Sequence, residues 1–191
     1  MEEVERSIRD CKKCSLHQTR TNPVVGAGSI DTNIVFIGEA PGRNEDLRGE
    51  PFVGAAGKIL EELLTSIGLK REDVYIANIL KCRPPDNRNP KKEEILACTP
   101  YLDDQIRIID PGIIATLGNF ASNYIMEEFS IPSESIGKIH GRVFEVGNLC
   151  SQIVIIPLYH PAAAVYNPNL KYVLKEDFRV LDDILRKQRL I

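Results

Sequence analysis

The chain has 191 residues, of which 43% are hydrophobic, and its formal net charge at pH 7 is −3. This length and apolar content suit one α/β domain with a core of ordinary size, so we expect a single domain over residues 1–191. No apolar stretch approaches the roughly 20 residues of a membrane-spanning helix, and the charged start MEEVERSIRD lacks an apolar signal segment. We therefore expect a cytoplasmic protein that does not associate with membranes.

The first elements in chain order are a helix, a buried strand and a second helix. Residues 2–10 predict a short helix that ends at a pair of cysteines. The apolar run at residues 34–37 predicts a buried strand, and residues 55–67 carry apolar side chains on one helical face. Gly68 is well placed to end that helix.

The remaining elements continue this alternation. Strands are predicted at 74–79, 113–117 and 153–157, with a further candidate at 142–146, and helices at 119–129 and from about 170 to 187. Asn89 and Pro90 have the pattern of a helix cap followed by a first-turn proline. Pro100 predicts a break or kink in the helix that follows.

Alternating strands and helices predict an α/β fold with three layers, in which helices cover both faces of a mainly parallel, four-stranded sheet. In such sheets ligands bind beyond the carboxyl ends of the strands. Three strand ends carry distinctive residues, namely GEAPG, Asn78 and the segment YHPAAAVYNP. We expect them to meet at one crevice.

Five cysteines are present, an odd number that argues against a secreted disulfide framework. Cys11 and Cys14 form a C-x2-C pair, and Cys82 and Cys98 form a C-x15-C pair, so the two pairs together could supply four metal ligands. Lysines and arginines beside them favour thiolates. Cys150, next to an apolar strand, fits a core cysteine better. Zinc and an iron–sulfur cluster both remain open at this point.

A basic stretch surrounds the second pair of cysteines. Residues 81–92, KCRPPDNRNPKK, contain five lysines or arginines against one aspartate, a local charge of +4. Such a stretch can bind nucleic acid, although a solvated loop explains the charge equally well.

The three strand ends offer side chains that suit a flat heterocycle. The glycine-rich loop at 38–54 matches neither nucleotide-binding fingerprint, and its acidic residues would repel phosphate. Phe52 could stack on a ring, the amide of Asn78 could bind a polar edge, and His160 could donate to a developing negative charge. Taken singly, each of these residues more often has a structural role, as a core phenylalanine, a turn asparagine or a histidine bonded to a carbonyl.

The segments GEAPGRNED, GEPFVGAAG, ANILKCRPPDNRNP and LYHPAAAVYNP, together with the order of the cysteines, resemble the family 4 uracil-DNA glycosylases. These are the iron–sulfur type of archaea and thermophilic bacteria. The resemblance extends from residue 11 to about residue 168. It implies the α/β fold of that family and an enzyme that flips deoxyuridine out of single- or double-stranded DNA. The enzyme would hydrolyse the N-glycosidic bond, release uracil and leave an abasic site.

The resemblance also implies which residues act. A [4Fe-4S] cluster would be bound by Cys11, Cys14, Cys82 and Cys98. Uracil would be bound by Gly38, Ala40, Phe52, Asn78 and His160. His160 would donate to uracil O2, and Asn78 would read O4 and N3–H.

Ala40 stands where many related glycosylases have an aspartate that positions the attacking water. Glu39 or Glu45 could orient water instead, or the sugar cation could form first, and we favour this dissociative route. Gly42 stands where the best-studied branch has a bulky residue that excludes thymine. Exclusion must then come from another side chain, for which Glu45 is the candidate.

DNA contacts are expected at two places. Val165 and Tyr166 could wedge into the base stack, or could instead pack against the terminal helix. A structural cluster would hold Lys81 and Arg83 toward phosphate. We expect a monomer with a sliding clamp as a candidate partner, although no clear clamp motif is present. The alternative function is a non-catalytic metal module that binds nucleic acid.

Overall fold

The computed structural model describes residues 1–147 and 152–189, so Cys150 lies outside the described residues. The strands are β1 Ala27–Gly28, β2 Ile34–Gly38, β3 Tyr75–Asn78, β4 Ile113–Leu117, β5 Phe144–Gly147 and β6 Gln152–Leu158. The helices are α1 Glu2–Arg9, α2 Arg43–Arg48, α3 Ala55–Ser66, α4 Lys92–Ile109, α5 Asn119–Glu128, α6 Ile136–Ile139, α7 Pro161–Tyr166 and α8 Asn169–Arg189. Short 3-10 turns cover Ser15–Gln18, Arg71–Asp73 and Pro85–Asn87.

The described strands form one sheet in the order β1-β3-β2-β4-β6-β5. The four central strands are parallel, which confirms the predicted α/β fold and its parallel centre. The sheet has six strands and not four, because β1 and β5 add antiparallel edges. β1 is too short to show a periodic pattern, whereas β5 corresponds to the candidate at 142–146.

Two apolar layers sandwich the sheet, as the strands' unbroken hydrophobic runs require. On one face Phe36 and Ile76 pack with Leu60 of α3 and Phe178 of α8. On the other face Ile37 packs with buried side chains of α4 and α5. The three-layer arrangement is thereby confirmed. None of the helices in the described ranges is long and apolar enough to cross a bilayer.

Helix α4 corrects two predictions about the region after the second strand. It begins at Lys92, two residues after Pro90, and the carboxylate of Glu94 accepts from the Lys91 N–H at 2.9 Å. Asn89 is therefore not the cap. The helix also continues through Pro100, so of the predicted break or kink the break is wrong. Pro100 is exposed, and water can bind the carbonyl that its missing N–H leaves free.

Two segments that the sequence presents as loops contain short helices. α2 lies within the glycine-rich segment 38–54, with Gly42 before it and Gly49 after it. α7 follows β6 directly, with His160 as its N-cap and Pro161 at its first position. Both helices lie at the carboxyl end of the parallel strands, and they shape the crevice there.

Candidate active site

A cavity of about 360 Å³ opens at the carboxyl ends of the parallel strands. Phe52, Asn78 and His160, which are far apart in the chain, all line it. The other predicted residues on its wall are Glu39, Ala40, Glu45 and Tyr166. The sequence-based expectation that the three strand ends meet at one crevice therefore agrees with the geometry.

Gly38, the last residue of β2, allows two of these side chains to come together. A Cβ atom at this position would lie 2.3 Å from Asn78 Oδ1 and 2.8 Å from Phe52 Cζ. Real Cβ atoms do not approach other atoms so closely, so any other residue would displace one of the two side chains. Gly38 therefore supports the cavity through its small size.

Phe52 is held in a backbone conformation that few non-glycine residues adopt, with φ at +53°. Arg71 stabilises it, because its guanidinium donates to the carbonyls of Phe52 at 3.0 Å and Pro51 at 2.6 Å. The Phe52 ring stacks on His160 with centroids 5.5 Å apart. Phe52 is both a core residue and a cavity residue, so the two interpretations of the sequence are compatible.

Asn78 ends β3 and is 2% exposed. Its Oδ1 is the one buried side-chain polar atom, among the described residues, that has no hydrogen-bond partner. An unpaired buried acceptor costs about 1–3 kcal/mol. Asn78 also lines the ligand-sized cavity, so this unpaired acceptor belongs to a residue of the cavity wall.

His160 is a neutral hydrogen-bond donor in this environment. The Ala162 N–H donates to its Nδ1 at 3.1 Å, so the ring proton is assigned to Nε2. Burial lowers the pKa of His160 to about 4. The sequence could not show this tautomer, which follows from the turn at the start of α7.

The two candidate carboxylates differ in their surroundings. Glu39 is half-buried on the cavity wall, and desolvation raises the pKa of its carboxyl. Glu45 instead braces the loop, because its Oε1 accepts from the N–H groups of Val53 and Gly54 at 2.9 Å each. Its Oε2 would lie 2.7 Å from a Cβ at Gly42, so Glu45 occupies the space of a larger side chain there.

The prediction that Lys81 contacts phosphate is wrong. Its side chain is only 1% exposed, and Nζ donates to Asn78 O at 2.9 Å and to Gln105 Oε1 at 2.6 Å. Desolvation lowers the pKa of this ammonium to about 8. Arg83, by contrast, is half-exposed and donates from Nε to Asn87 Oδ1 at 2.8 Å, so it remains a candidate for phosphate.

The sequence did not single out Arg88, which lines the cavity and forms a two-pronged ion pair with the buried carboxylate of Glu94. It did not single out Arg71 either, because the contact joins residues about 20 apart through a turn. On α7 the side chains of Val165 and Tyr166 are 43% and 89% exposed. Tyr166 lines the cavity and remains the candidate wedge, whereas Val165 is not on the cavity wall.

The four predicted cysteine ligands line a second, enclosed cavity between α1, α4 and the segment after β3. None of them forms a disulfide. Three sulfurs accept hydrogen bonds: Cys11 from the Lys13 N–H at 3.5 Å, Cys98 from the Lys81 N–H at 3.2 Å, and Cys82 from Arg20 at 3.1 Å. Donors of this kind stabilise thiolates.

Burial has the opposite effect on these thiols. It raises the pKa of Cys14 and Cys82, and that of Cys98 to about 11. Within the described residues, no group of three or more cysteine, histidine or acidic side chains could hold a single metal ion.

Comparison with known proteins places the chain in a family. The model of the uracil DNA glycosylase superfamily matches residues 25–182. The chain is 48% identical to the type-4 uracil-DNA glycosylase of Archaeoglobus fulgidus over 189 residues, which are 99% of this chain and 95% of that protein. It is 49% identical to the type-4 enzyme of Saccharolobus solfataricus, covering 95% of this chain and 85% of the relative.

A bacterial relative extends the comparison beyond archaea. The type-4 uracil-DNA glycosylase of Thermotoga maritima is 42% identical over 191 residues, which cover 98% of this chain and 96% of that protein. Identity at this level over nearly the full length of both chains shows common family membership. The chain belongs to the uracil DNA glycosylase superfamily and, within it, to the type-4 uracil-DNA glycosylases.

Proposed function

We propose that this chain, acting as one domain, excises uracil from DNA. Deoxyuridine would leave the base stack and enter the cavity, where water hydrolyses the bond between uracil N1 and the sugar C1′. The products are free uracil and an abasic site. The observation that carries the proposal is the position of buried Asn78, whose Oδ1 is unpaired, on the wall of a cavity that it shares with Phe52 and a neutral His160.

Asn78 would distinguish uracil from cytosine. Its Oδ1 accepts from uracil N3–H, and its amide NH₂ donates to O4, whereas cytosine presents the opposite polarity at both positions. A buried site that leaves its polar groups unpaired with the wrong base discriminates by about 10⁴–10⁵-fold. Stacking on Phe52 is worth about 1–3 kcal/mol. It thus offsets much of the few kcal/mol that base extrusion costs.

His160 would stabilise the leaving group. As the glycosidic bond breaks, the bonding electrons move onto uracil and negative charge develops at O2. The Nε2–H of a neutral imidazole can donate to that oxygen, and one such donor contributes about 3–4 kcal/mol to lowering the barrier. Its lowered pKa keeps the ring neutral at physiological pH, so its action requires no proton transfer.

Water would then add to the sugar. Ala40 supplies no carboxylate, so we propose that the C–N bond breaks first and that the sugar cation forms before water attacks. Water adds its oxygen to C1′ and loses a proton, and uracil gains a proton. Glu39 lies on the wall and would orient the water, whereas Glu45 is engaged by two backbone N–H groups. Glu45, beside Gly42, is the side chain that would exclude the methyl group of thymine.

The cysteines fit a [4Fe-4S] cluster, because four of them line one enclosed cavity, namely Cys11, Cys14, Cys82 and Cys98. Backbone and arginine N–H groups also donate hydrogen bonds to three of the four sulfurs. Such a cluster takes four thiolate ligands, and its iron would compensate the negative charge of the thiolates, which burial disfavours. Hydrolysis transfers no electrons, so the cluster would act structurally. It would tie the N-terminal segment to the basic loop after β3.

Replacement of Cys98 by serine tests this assignment. The variant is expected to lose most of the brown visible absorption of the wild-type protein and to unfold at a lower temperature, because a hydroxyl is a poor cluster ligand. Absorption spectra with iron and sulfide analysis measure the first effect. Cys150→Ser is the matched control and is expected to retain the colour. A colourless wild-type protein that contains zinc would contradict the assignment.

Tyr166 is expected to act as a wedge at the mouth of the cavity. Tyr166→Ala is expected to slow excision from a duplex U·A pair by about tenfold, because unstacking a base step costs a few kcal/mol. Excision from single-stranded DNA, which has no stack to hold open, is expected to change little. Single-turnover rates on both substrates measure the difference.

Tyr172→Ala is the matched control for the wedge, because Tyr172 is similarly exposed at 75% but lies on α8 and does not line the cavity. It is expected to leave both rates unchanged. Equal losses on duplex and single-stranded DNA in Tyr166→Ala would show that the side chain contacts the base or backbone and does not act as a wedge.

Excision itself is tested with a labelled oligonucleotide that contains one uracil. After incubation with the protein in excess, alkali cleaves the strand at abasic sites, and a single break at the uracil is expected. The same oligonucleotide with thymine or cytosine at that position is expected to remain intact. Binding to DNA without any break would instead support a non-catalytic nucleic-acid module.

A further inference from the structure

Lys81 is a buried cation to which the reaction gives no role. It lies three residues after Asn78 and one before Cys82, and its side chain is only 1% exposed. Removing an ammonium from water costs several kcal/mol unless its partners compensate the charge. A position needed only for packing is more readily filled by an apolar side chain, so the contacts of Lys81 indicate its purpose.

One of those contacts joins Lys81 to Asn78, the residue that would read the base. Lys81 Nζ donates to the backbone carbonyl of Asn78 at 2.9 Å and to Gln105 Oε1 at 2.6 Å. Hydrogen bonds from a charged donor are about twice as strong as neutral ones. The ammonium therefore connects the end of β3 to α4.

Gln105 is itself fixed, which gives the lysine a rigid partner. Its Nε2 donates to Val25 O at 3.0 Å and to the Tyr75 hydroxyl at 2.9 Å. With both donations assigned to Nε2, Oε1 is directed at Lys81. The backbone N–H of Lys81 also donates to Cys98 Sγ at 3.2 Å, so the cysteine centre fixes the start of the side chain.

The side-chain amide of Asn78 needs such support, because no hydrogen bond holds its oxygen in place. Its Oδ1 accepts no hydrogen bond from any described residue. The direction of the amide consequently depends on the backbone at Asn78 and on the close packing of Gly38. A shift of the Asn78 carbonyl would turn the amide away from the ligand.

We propose that Lys81, held by Gln105, is a positioning residue that aims the amide of Asn78 at the N3–H edge of the bound pyrimidine. Lys81 does not touch the base, and it acts by anchoring the Asn78 carbonyl. The same residue connects the cysteine centre to uracil recognition through its backbone. This inference rests on the proposed uracil-excision function.

The test compares free uracil with 3-methyluracil, which lacks the N3–H, as inhibitors of excision. The wild-type protein is expected to bind uracil more tightly than 3-methyluracil. Lys81→Met keeps the length of the side chain but removes its charge. In this variant the ratio of the 3-methyluracil inhibition constant to the uracil inhibition constant is expected to fall by about tenfold. Stacking affects both bases equally, so a general loss of stability would not change the ratio.

Two further variants keep the test decisive. Gln105→Leu removes the partner of the ammonium without altering a residue next to a cysteine, and it is expected to narrow the ratio similarly. If Lys81→Met lost its visible absorption, Gln105→Leu would decide the result. Lys13→Met is the matched control, since Lys13 also neighbours a cysteine but places Nζ over the Tyr101 ring, 4.5 Å from its centroid, and does not line the uracil cavity.

The outcomes separate this inference from the proposed function. A wild-type protein that neither excises uracil nor prefers it to 3-methyluracil would overturn the function. A wild-type protein that prefers uracil, with an unchanged ratio in both Lys81→Met and Gln105→Leu, would overturn only the positioning role of Lys81.

Discussion

Replacement of His160 by alanine is expected to lower the single-turnover rate of uracil excision by about 10²–10³-fold, the loss that follows removal of one donor to a developing oxyanion. The effect should lie in the chemical step, because the charge at uracil O2 develops only as the bond breaks. His160 also stacks on Phe52, so some weakening of base binding is expected in addition.

Single-turnover kinetics with enzyme in excess measure this loss, and thermal unfolding shows whether the fold survives. His160→Gln is the conservative comparison: its side-chain amide can still donate, so it should recover part of the rate. Because the pKa of His160 is lowered to about 4, the ring is neutral from physiological pH down to well below pH 6. Titration of His160 should therefore not contribute to the pH dependence of the excision rate above about pH 6. Full activity in both variants would rule out the assigned role.

Asn78→Ala is expected to reduce kcat/KM on uracil by about 10²-fold or more, because the variant loses both hydrogen bonds to the pyrimidine edge. It also leaves space where the amide lay, which water can fill. Since the unpaired Oδ1 is removed, the variant is not expected to be less stable from loss of a hydrogen bond. Normal unfolding with deficient excision would therefore be the characteristic result.

Asn123→Ala provides the matched control for this asparagine. Asn123 is exposed on α5 and accepts a hydrogen bond from Ser133 at 2.6 Å, and it does not line the cavity. Its replacement should leave excision unchanged. Retention of wild-type kcat/KM in Asn78→Ala would show that the base is read elsewhere.

The main residues of the site could be predicted from the sequence, because they follow predicted strands of a parallel sheet. Parallel strands bring their carboxyl ends to one edge, so Gly38, Asn78 and His160 could be expected to meet there. Family resemblance assigned the chemical roles of these residues. The periodic apolar segments likewise predicted the parallel centre of the sheet and the long helices.

What the sequence did not predict depends on tertiary contacts. Lys81 lies in a basic run and was expected at the surface, but its side chain turns back onto the Asn78 carbonyl, where Gln105 completes its environment. No local pattern distinguishes an arginine such as Arg71, which holds the strained Phe52, from a solvated one. The short helices α2 and α7 were not predicted, because glycines flank α2 and a proline begins α7, and such residues are typical of loops.

The central claim is that one cavity binds a single pyrimidine between Phe52, Asn78 and His160, and a crystal structure with free uracil tests it most directly. The predicted result is a uracil ring stacked on Phe52, with N3 against Asn78 Oδ1 and O2 facing His160 Nε2. Uracil bound on another surface, or bound in the cavity with N3 turned away from Asn78, would contradict the account.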